Sequence, residues 1–306
     1  MESPFGPLVL IANPNSGKGR VGQELPEIER QLNSLGLRSR IVKTEGPGHA
    51  TRLAREALET GERFIVAAGG DGTVQEIVNG MLRDDRPVDD QAVLGVVAAG
   101  SGSDFVRTFG LPGDSIRSVR HLTGDLLYPI DVIRIDYRDP DGPATRYCPN
   151  IAEAGLGGAV VARARRLPRW IGRTRYFLGF WLSLGGFRPT EMKVQVDRKE
   201  FSGRANNVVV ANCQFYGAGM KISPRSYPGD GALDVQISHG PKSEAFTLIP
   251  KIYRGEHLPH PNIAELRGRV VTVNAERPLP VEADGEVLGT TPATFTVLPH
   301  VIRLKI

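Results

Sequence analysis

The sequence predicts an α/β protein: an N-terminal doubly wound parallel sheet followed by a C-terminal β-rich, sandwich-like domain. In the first third of the chain, short apolar runs alternate with segments whose apolar residues recur at helical spacing. Strands that alternate with helices in this way form a parallel sheet with helical crossovers. After about residue 128 the segments become short, β-branched and separated by turn residues, which is typical of antiparallel sheets.

The N-terminal pattern defines each element in turn. Strands are predicted at LVLIA (8–12), SRIVKT (39–44), FIVAA (64–68) and VLGVVAA (93–99). Helices are predicted where apolar residues lie on one face, at 25–35, 50–58 and 74–81, and glycines follow the first two as stop signals. Thr73 and Glu76 have the spacing of a capping box, which predicts that the third helix begins at the preceding loop.

The change of pattern places a domain boundary near Tyr128. Residues 1–128 are expected to form the nucleotide-binding domain, and residues 129–294 the β-rich domain. The last strand, at about 295–306, is a candidate to return to the first domain. The predicted β segments are DVIRIDY, TRYCPNI, MKVQVD, NNVVVANC, ALDVQIS, RVVTVNA, LPVEADG and TFTVLP.

The composition limits the class of protein. A chain of 306 residues with 40% hydrophobic and 24% charged residues is ordinary for a soluble globular protein. Cys148 and Cys213 are isolated, which predicts reduced thiols and neither a disulfide nor a zinc site. The N-terminus lacks the pattern of a secretory signal, and no apolar run reaches the roughly 18 residues of a spanning helix. A cytoplasmic location is expected.

Three glycine-bearing loops follow strands of the predicted parallel sheet: NPNSGKGR (13–20), GGDG (69–72) and GSGS (100–103). Loops at the carboxyl ends of parallel strands meet at one edge, where ligands bind. Glycines let backbone N–H groups approach phosphate oxygens, and the helix after GGDG adds positive potential. The edge therefore suits a nucleotide, with Asn13 and Gly100 in its loops. Lys18 either reaches a phosphate or is a solvated loop lysine.

The GGDG loop matches neither of two common phosphate-binding patterns. A Walker loop needs G-x-x-x-x-G-K-[ST], and the dinucleotide fingerprint needs G-x-G-x-x-G, whereas the position of its third glycine holds Gln75. An aspartate among phosphate-binding amides would repel the ligand unless a metal bridged them. Asp71 therefore favours Mg²⁺ bound together with the nucleotide, and it is a candidate catalytic residue.

Five motifs together resemble a known family. NPNSGKG, GGDGTVQE, GSGSDF, GDGALDV and VEADGE are similar, in order and spacing, to the diacylglycerol kinase catalytic-domain family of lipid kinases, which includes bacterial soluble lipid kinases and sphingosine kinases. The resemblance covers nearly the whole chain. It implies an NAD kinase/diacylglycerol kinase-like fold with ATP in the cleft between an α/β and a β-rich domain, and a role in phospholipid metabolism.

The resemblance also implies roles for individual residues. Glu286, in the D-G-E string, would be the general base, with Asp284 a less favoured alternative. Mg²⁺ would be held by the Asp230 carboxylate and the backbone carbonyls of Tyr227 and Ala232. The ATP contacts would be Thr44, Gly69, Gly70, Asp71, Gly72, Thr73, Val74, Gln75 and Ser101. The chain departs from the common pattern at Gln75, Ser101, Ser103 and Ala218.

An arginine-rich aromatic segment interrupts the β-rich half. Between Glu153 and Glu191 there is no acidic residue, but there are seven arginines. We expect residues 163–187 to attach to an anionic membrane surface, because arginines meet head groups while aromatic rings lie at the boundary. A buried core helix at 176–184 is the alternative, and nucleic acid is not expected. The arginines are Arg163, Arg165, Arg166, Arg169, Arg173, Arg175 and Arg188.

These observations favour an ATP- and Mg²⁺-dependent kinase that phosphorylates a hydroxyl group of a membrane lipid at the inner face of the membrane. The acceptor would be diacylglycerol or a related lipid, with sphingoid bases and ceramide left open. A soluble NAD kinase-like enzyme and a catalytically silent lipid or nucleotide sensor are the alternatives. The D-G-E string and the basic aromatic segment favour lipid. The sequence is compatible with a homodimer but does not determine the oligomeric state.

Overall fold

The computed structural model describes residues 3–99, 103–167 and 174–306. The chain forms two compact units. Unit 1 comprises Met1–Val132, Phe215–Gly219 and Leu298–Ile306, and unit 2 comprises Ile133–Gln214 and Met220–Val297. The predicted fold class is confirmed, since unit 1 contains parallel strands and unit 2 contains antiparallel strands.

Unit 1 alternates strands and helices as predicted. The main strands are β1 (Leu8–Ala12), β2 (Ser39–Lys43), β3 (Phe64–Gly69) and β6 (Val93–Ala98). The helices are α1 (Arg20–Ser34), α2 (His49–Glu59), α3 (Asp71–Met81), α4 (Asp104–Thr108) and α5 (Ser115–Ser118), with a 3₁₀ turn at Val119–Leu122. A short hairpin of β4 (Leu82–Arg83) and β5 (Arg86–Pro87) was not predicted.

The strands of unit 1 pair in the order β2, β1, β3, β6, all parallel. The chain moves from β1 to β2 on one side and then returns to β3 on the other side. The neighbouring strands β1 and β3 therefore mark the switch point at which loops diverge and ligands bind in open α/β sheets. The sheet thus places the first two glycine loops side by side.

The helices α1 and α2 of unit 1 each bury an apolar face. The buried face of α1, formed by Val21, Leu25, Ile28 and Leu32, packs with alternate residues of β1 and β3. On α2, alanines and a leucine are buried at helical spacing, and α2 packs against α3. The glycines predicted to end these two helices, Gly36 and Gly61, both have positive φ angles, as glycines just beyond helix ends commonly do.

The predicted capping box at the start of α3 is wrong. The helix begins at Asp71, and its N-cap residue, Gly70, has no side chain to donate or accept a hydrogen bond. Thr73 and Glu76 instead bind other elements. The Thr73 hydroxyl accepts a hydrogen bond of 3.5 Å from Nδ2 of Asn13, and Glu76 Oε2 accepts one of 3.1 Å from the N–H of Ala50. Tertiary contacts thus replaced the local cap.

Unit 2 is built from antiparallel strands. Two long strands, β7 (Leu127–Asp139) and β17 (Glu286–Lys305), have residues in both units. The remaining strands are β8 (Gly142–Cys148), β9 (Ile151–Gly155), β10 (Thr190–Val196), β11 (Lys199–Ala205), β12 (Asn207–Ala211), β13 (Leu233–Ser238), β14 (Ile263–Gly268), β15 (Val270–Ala275) and β16 (Pro280–Ala283). β9, β11 and β14 were not predicted, because charged and small residues weaken their alternating pattern.

Strand pairing in unit 2 follows two paths. One runs β14, β13, β12, β9, β16 and β17, and the other joins β11, β10, β15 and β17, while β8 pairs with β7. Val208, Val210, Val235 and Phe295 are among the fully buried residues of one continuous hydrophobic core. Cys148 and Cys213 are both buried, and neither is part of a disulfide bond.

The arginine-rich interruption contains two helices, α6 (Leu156–Arg166) and α7 (Thr174–Gly186). Arg169, Trp170 and Arg173 lie outside the described residues. A further helix, α8 (Ala245–Arg254), follows a 3₁₀ turn at Lys242–Glu244 and was not predicted. Across residues 3–99, 103–167 and 174–306, no helix is both long and apolar enough to span a membrane.

Strand β17 lies so close to β7 that only glycine fits at position 289. A Cβ atom on Gly289 would lie 2.2 Å from the carbonyl oxygen of Arg138 and 2.7 Å from Cδ2 of Tyr137. We expect Gly289→Ala to lower the free energy of unfolding by about 1–3 kcal/mol, because the two backbones must separate. Chemical denaturation measures this change.

Gly185→Ala is the control, because no atom lies within 4 Å of the added methyl group in α7. Its effect should stay within about 1 kcal/mol and stabilise the helix. Equal stability of the Gly289→Ala and parent proteins would contradict the assigned packing.

Candidate active site

The first two glycine loops of unit 1 are held together at the carboxyl edge of the sheet. The N–H of Asn13 donates to the carbonyl of Ala68 over 2.9 Å, and the Asn13 side chain reaches the Thr73 hydroxyl. On the other side of β1, the N–H of Thr44 donates to the carbonyl of Ala12 over 2.8 Å. The structure therefore brings Asn13, Thr44 and the GGDG loop to one edge, as the sequence predicted.

The first loop also contacts the end of β6. A Cβ atom at Gly17 would lie 2.4 Å from the carbonyl oxygen of Ala99, so a larger residue would push the loop off that strand. Lys18 follows, exposed and with a positive φ of 63°. Gly100 and Ser101, the next residues of the third loop predicted to bind ATP, lie outside the described residues.

The GGDG loop offers backbone rather than side chains. Gly70, Asp71 and Gly72 are partly exposed at the start of α3, whereas the next three predicted contacts, Thr73, Val74 and Gln75, are at most 5% exposed. Gly69 is required because its Cβ would lie 2.4 Å from Oγ1 of Thr73. The backbone N–H groups of the first helical turn are thus the surface that a phosphate can approach.

Asp71 binds the backbone of the next loop region. Its Oδ1 accepts a hydrogen bond of 3.1 Å from the N–H of Phe105, and its Oδ2 accepts one of 3.3 Å from the N–H of Asp104. Burial raises the pKa of the Asp71 carboxyl, and these two amides oppose the shift. Asp71 therefore has a structural role that the sequence did not predict, and its catalytic role stays a prediction.

Asp104 is a buried carboxylate that the sequence analysis did not select. Its Oδ2 accepts a hydrogen bond of 2.7 Å from the N–H of Ala218, and its Oδ1 lies 3.9 Å from Nε of Arg107. Burial and then the charge of Asp71 raise the pKa of Asp104 to about 6. Asp104 thereby attaches the segment Phe215–Gly219 to unit 1, and its place directly after the third glycine loop was the available signal.

The segment attached to Asp104 has an unusual backbone. Gly217, Ala218 and Gly219 all have positive φ angles, of 59°, 72° and 104°. This conformation costs an alanine roughly 1–2 kcal/mol relative to glycine. Glycine is common at position 218 in the family that the sequence resembles. The alanine found here is therefore unfavourable for this backbone conformation.

In unit 2 the D-G-E string forms a tight hairpin between β16 and β17. Asp284 and Gly285 have φ angles of 48° and 81°, as both central residues of a type I′ turn require. The Asp284 carboxylate points to β8 and β9, where it accepts from the N–H of Ile151 over 3.4 Å and lies 3.4 Å from Sγ of Cys148. Asp284 is therefore engaged in holding the turn.

Glu286 is the second carboxylate of this turn, and it is partly exposed. Its side chain is 34% exposed, and its Oε2 accepts a hydrogen bond of 3.3 Å from Nη2 of Arg146 on β8. A carboxylate oxygen without a hydrogen bond can accept a proton from a bound alcohol, whereas both oxygens of Asp284 already have partners in Ile151 and Cys148. The geometry therefore favours Glu286 over Asp284 as a candidate base.

The predicted magnesium ligands lie in the turn before β13. Asp230 Oδ1 accepts a hydrogen bond of 3.1 Å from the N–H of Ala232, and its Oδ2 is paired with Arg267. The carbonyl of Tyr227 accepts from the N–H of Gly229 over 2.8 Å. Oxygen donors of this kind suit Mg²⁺.

A second carboxylate, Asp234, lies near the same arginine, with Oδ1 at 3.6 Å from Nε of Arg267. Burial raises the pKa of Asp234, so added positive charge would favour its ionised form. The described residues contain no group of three or more His, Cys, Asp or Glu side chains suited to a metal. A magnesium site here would therefore use backbone oxygens beside carboxylate.

A glycine-rich parallel-sheet edge in one unit and acidic turns on antiparallel strands in the other define a class of kinases with an α/β nucleotide domain and a β-rich second domain. Residues 7–135 match the diacylglycerol kinase catalytic domain, and residues 150–306 match the YegS C-terminal NAD kinase beta sandwich-like domain. The chain belongs to the diacylglycerol kinase catalytic-domain family, a family of lipid kinases.

Curated relatives match over nearly the whole chain. A diacylglycerol kinase from Bacillus subtilis strain 168 is 29% identical over 97% of this chain and 96% of the relative. One from Staphylococcus haemolyticus strain JCSC1435 is 26% identical over 96% of this chain and 86% of the relative. A crystal structure of a diacylglycerol kinase from Bacillus anthracis strain Sterne has the same fold, with a TM-score of 0.74 at 23% identity over 99% of this chain and 97% of that chain.

The raised pKa of Asp104 predicts how stability depends on pH. The folded protein binds this proton more tightly than an unfolded chain does, between pH 3.8 and about 6. The contribution of Asp104 to the free energy of unfolding therefore falls as the pH rises through that window. Asp104→Asn should remove this fall, which amounts to about 3 kcal/mol at most, while its amide oxygen still accepts from Ala218.

Denaturant unfolding at several pH values between 4 and 7 measures the effect. Asp89→Asn is a control of opposite sign, because the backbone N–H of Gln91 lowers the pKa of Asp89. The stability that Asp89 contributes is lost only as the pH falls below its ordinary pKa of 3.8, so its substitution should leave the slope of stability between pH 5 and 7 unchanged. Parallel pH profiles for Asp104→Asn and the parent would contradict the role of Asp104.

Proposed function

We propose that this protein transfers the γ-phosphoryl group of ATP to the free hydroxyl group of diacylglycerol. The observation that carries the proposal is Glu286, a partly exposed carboxylate of unit 2 that an arginine holds; a backbone-lined glycine loop within unit 1 supports it. The names of the curated relatives support diacylglycerol as the acceptor.

ATP is bound by the carboxyl edge of the unit 1 sheet. The N–H groups of Gly70, Asp71 and Gly72 at the start of α3 receive phosphate oxygens, and the helix dipole adds to this attraction. Exposed Lys18 supplies a positive charge at the neighbouring loop. Thr44 and Asn13 support these loops through the hydrogen bonds that join them to the strand ends.

The turn before β13 would hold Mg²⁺ through the Asp230 carboxylate and the carbonyls of Tyr227 and Ala232. Bound Mg²⁺ would supply positive charge that neutralises phosphate oxygens. Arg267, paired with Asp230 and near Asp234, balances the carboxylates of this turn. Its guanidinium group therefore competes with a cation for the same oxygens.

In the proposed reaction Glu286 accepts the proton of the acceptor hydroxyl group. The hydroxyl oxygen forms a bond to the γ-phosphorus, and the bond between that phosphorus and the β–γ bridging oxygen breaks. The products are phosphatidic acid and ADP, and the proton remains on Glu286 until it passes to solvent. The half-exposed position of the carboxylate is compatible with both the approach of an alcohol and the return of the proton.

Glu286→Gln tests the reaction. With labelled ATP, Mg²⁺ and diacylglycerol in mixed micelles, the variant should lose about 10²–10⁴-fold in kcat, because glutamine cannot accept the proton. Label extracted into the organic phase measures turnover, and NAD serves as an alternative acceptor.

The matched control is Glu200→Gln, which removes another carboxylate paired with a cation, Lys193, at 3.0 Å on the antiparallel strands. Its activity should equal that of the parent. Full activity of Glu286→Gln, or label on NAD and none in lipid, would refute the proposed reaction.

A membrane surface is the expected location of the acceptor. In unit 2, Leu178 and Leu182 on α7 and Phe246 and Tyr253 on α8 are exposed by 39%, 49%, 65% and 51%. The rings of Trp181 and Phe246 pack together with centroids 4.5 Å apart, which joins the two helices. We propose that this surface, the α7–α8 patch, inserts between lipid head groups.

Basic residues near the α7–α8 patch favour an anionic bilayer. Arg163 is exposed and donates to the carbonyl of Leu182 over 2.9 Å, and Lys251 and Arg254 are exposed on α8. Such residues contribute about 1 kcal/mol each near an anionic surface. The contribution predicted for Arg169 and Arg173 concerns residues outside the described ranges.

Replacing apolar residues of the patch tests membrane binding. Leu182→Glu combined with Phe246→Glu should weaken sedimentation with vesicles containing phosphatidylglycerol at least about tenfold, since apolar burial is lost and anionic charge is added. Leu126→Glu is the matched control, because Leu126 is 68% exposed on unit 1. Unchanged binding of the double variant would exclude this surface.

A further inference from the structure

We propose that Arg146 is the positioning residue that orients Glu286 for proton transfer. This role rests on the proposed function, because it presupposes that Glu286 is the base. Nη2 of Arg146 donates to Oε2 of Glu286 over 3.3 Å. The described residues give the other oxygen, Oε1, no hydrogen bond, so it is the oxygen left to accept the hydroxyl proton.

The position of Arg146 is fixed by strand pairing. On β8, Arg146 lies opposite Ile135 of β7, and directly opposed residues of an antiparallel pair point to the same face. Ile135 is fully buried in the core of unit 2. The stem of Arg146 therefore starts at the edge of that core and carries the guanidinium group outward to Glu286.

Among the described residues, the Arg146 guanidinium group donates a hydrogen bond to Glu286 and to no other group. Its Nε is buried and has no hydrogen-bond partner among the described residues, which is unfavourable for a buried donor. The pair itself is partly exposed, with side chains 28% and 34% accessible, and exposed ion pairs contribute little to stability. A role in orienting Glu286 explains why a costly arginine is placed here.

Glu286 needs such a partner more than its neighbours do. Glu282 is buried and accepts from the N–H of Gly285 over 2.9 Å, and Asp284 accepts from the N–H of Ile151. Backbone N–H groups therefore hold both of these side chains in place. Glu286 has no backbone donor among the described residues, so the hydrogen bond from Arg146 is the one that orients its carboxylate.

The experiment compares Arg146→Ala and Arg146→Lys in the diacylglycerol assay with full-length protein. Arg146→Ala should lower kcat by about 10- to 100-fold, because a misplaced reacting group is costly, with little change in KM for ATP. Arg146→Lys should retain more activity than Arg146→Ala. Added guanidinium ion at low millimolar concentration should restore part of the kcat of Arg146→Ala, whereas sodium at equal ionic strength should not.

Arg134→Ala is the matched control, since Arg134 forms a comparable ion pair of 3.0 Å with Asp136 on β7. It should leave kcat within about twofold of the parent. The double variant Arg146→Ala/Glu286→Gln should be no slower than Glu286→Gln alone, because residues that act as a unit are not additive.

Several outcomes would overturn the role of Arg146. These are an unchanged kcat in Arg146→Ala, a fully additive loss in the double variant, or a loss of kcat that follows reduced thermal stability and resists guanidinium. Full activity of Glu286→Gln would instead remove the base and refute the proposed function. An inactive Glu286→Gln with a fully active Arg146→Ala would refute the positioning role alone.

Discussion

The parallel pairing of β1 with β2 and β3 is the constraint on which the nucleotide edge depends. Parallel register brings the ends of all three strands to the same level, so Thr44, Asn13 and the GGDG loop follow at one edge. Gly17 has no space for a side chain against Ala99, and Gly69 has none against Thr73 in the helix that follows it. Glycine is thus required here by packing as well as by access to phosphate.

Several carboxylates in this protein hold the backbone of another segment, whereas the candidate base does not. Asp71, Asp104 and Asp284 each accept hydrogen bonds from backbone N–H groups of another segment. The first two have raised pKa values because burial disfavours their charge. Glu286 is held by the side chain of Arg146 instead. This difference in partner, rather than residue type, separates the structural acids from the candidate base.

The success of sequence-based prediction varied with the range of the interactions involved. The strands at 8–12, 64–69 and 93–98 were predicted because long apolar runs depend only on local pattern. The predicted capping box does not form although its motif is present. Its two side chains, Thr73 and Glu76, bind Asn13 and Ala50 instead. Asp104 lies within the GSGSDF motif, but no role was predicted for it, because its partner, Ala218, is 114 residues away.

The sequence alone determined the order of strands and helices, the glycine loops, the D-G-E turn and membership of a lipid kinase family. These features depend on local periodicity and on motifs whose residues are contiguous in the chain. Only the tertiary structure decided that Asp284 accepts a hydrogen bond from the N–H of Ile151, that Glu286 pairs with Arg146, and that Asp71 binds the first turn of α4. Hydrogen bonds between residues distant in the chain depend on strand register and packing, which no local pattern specifies.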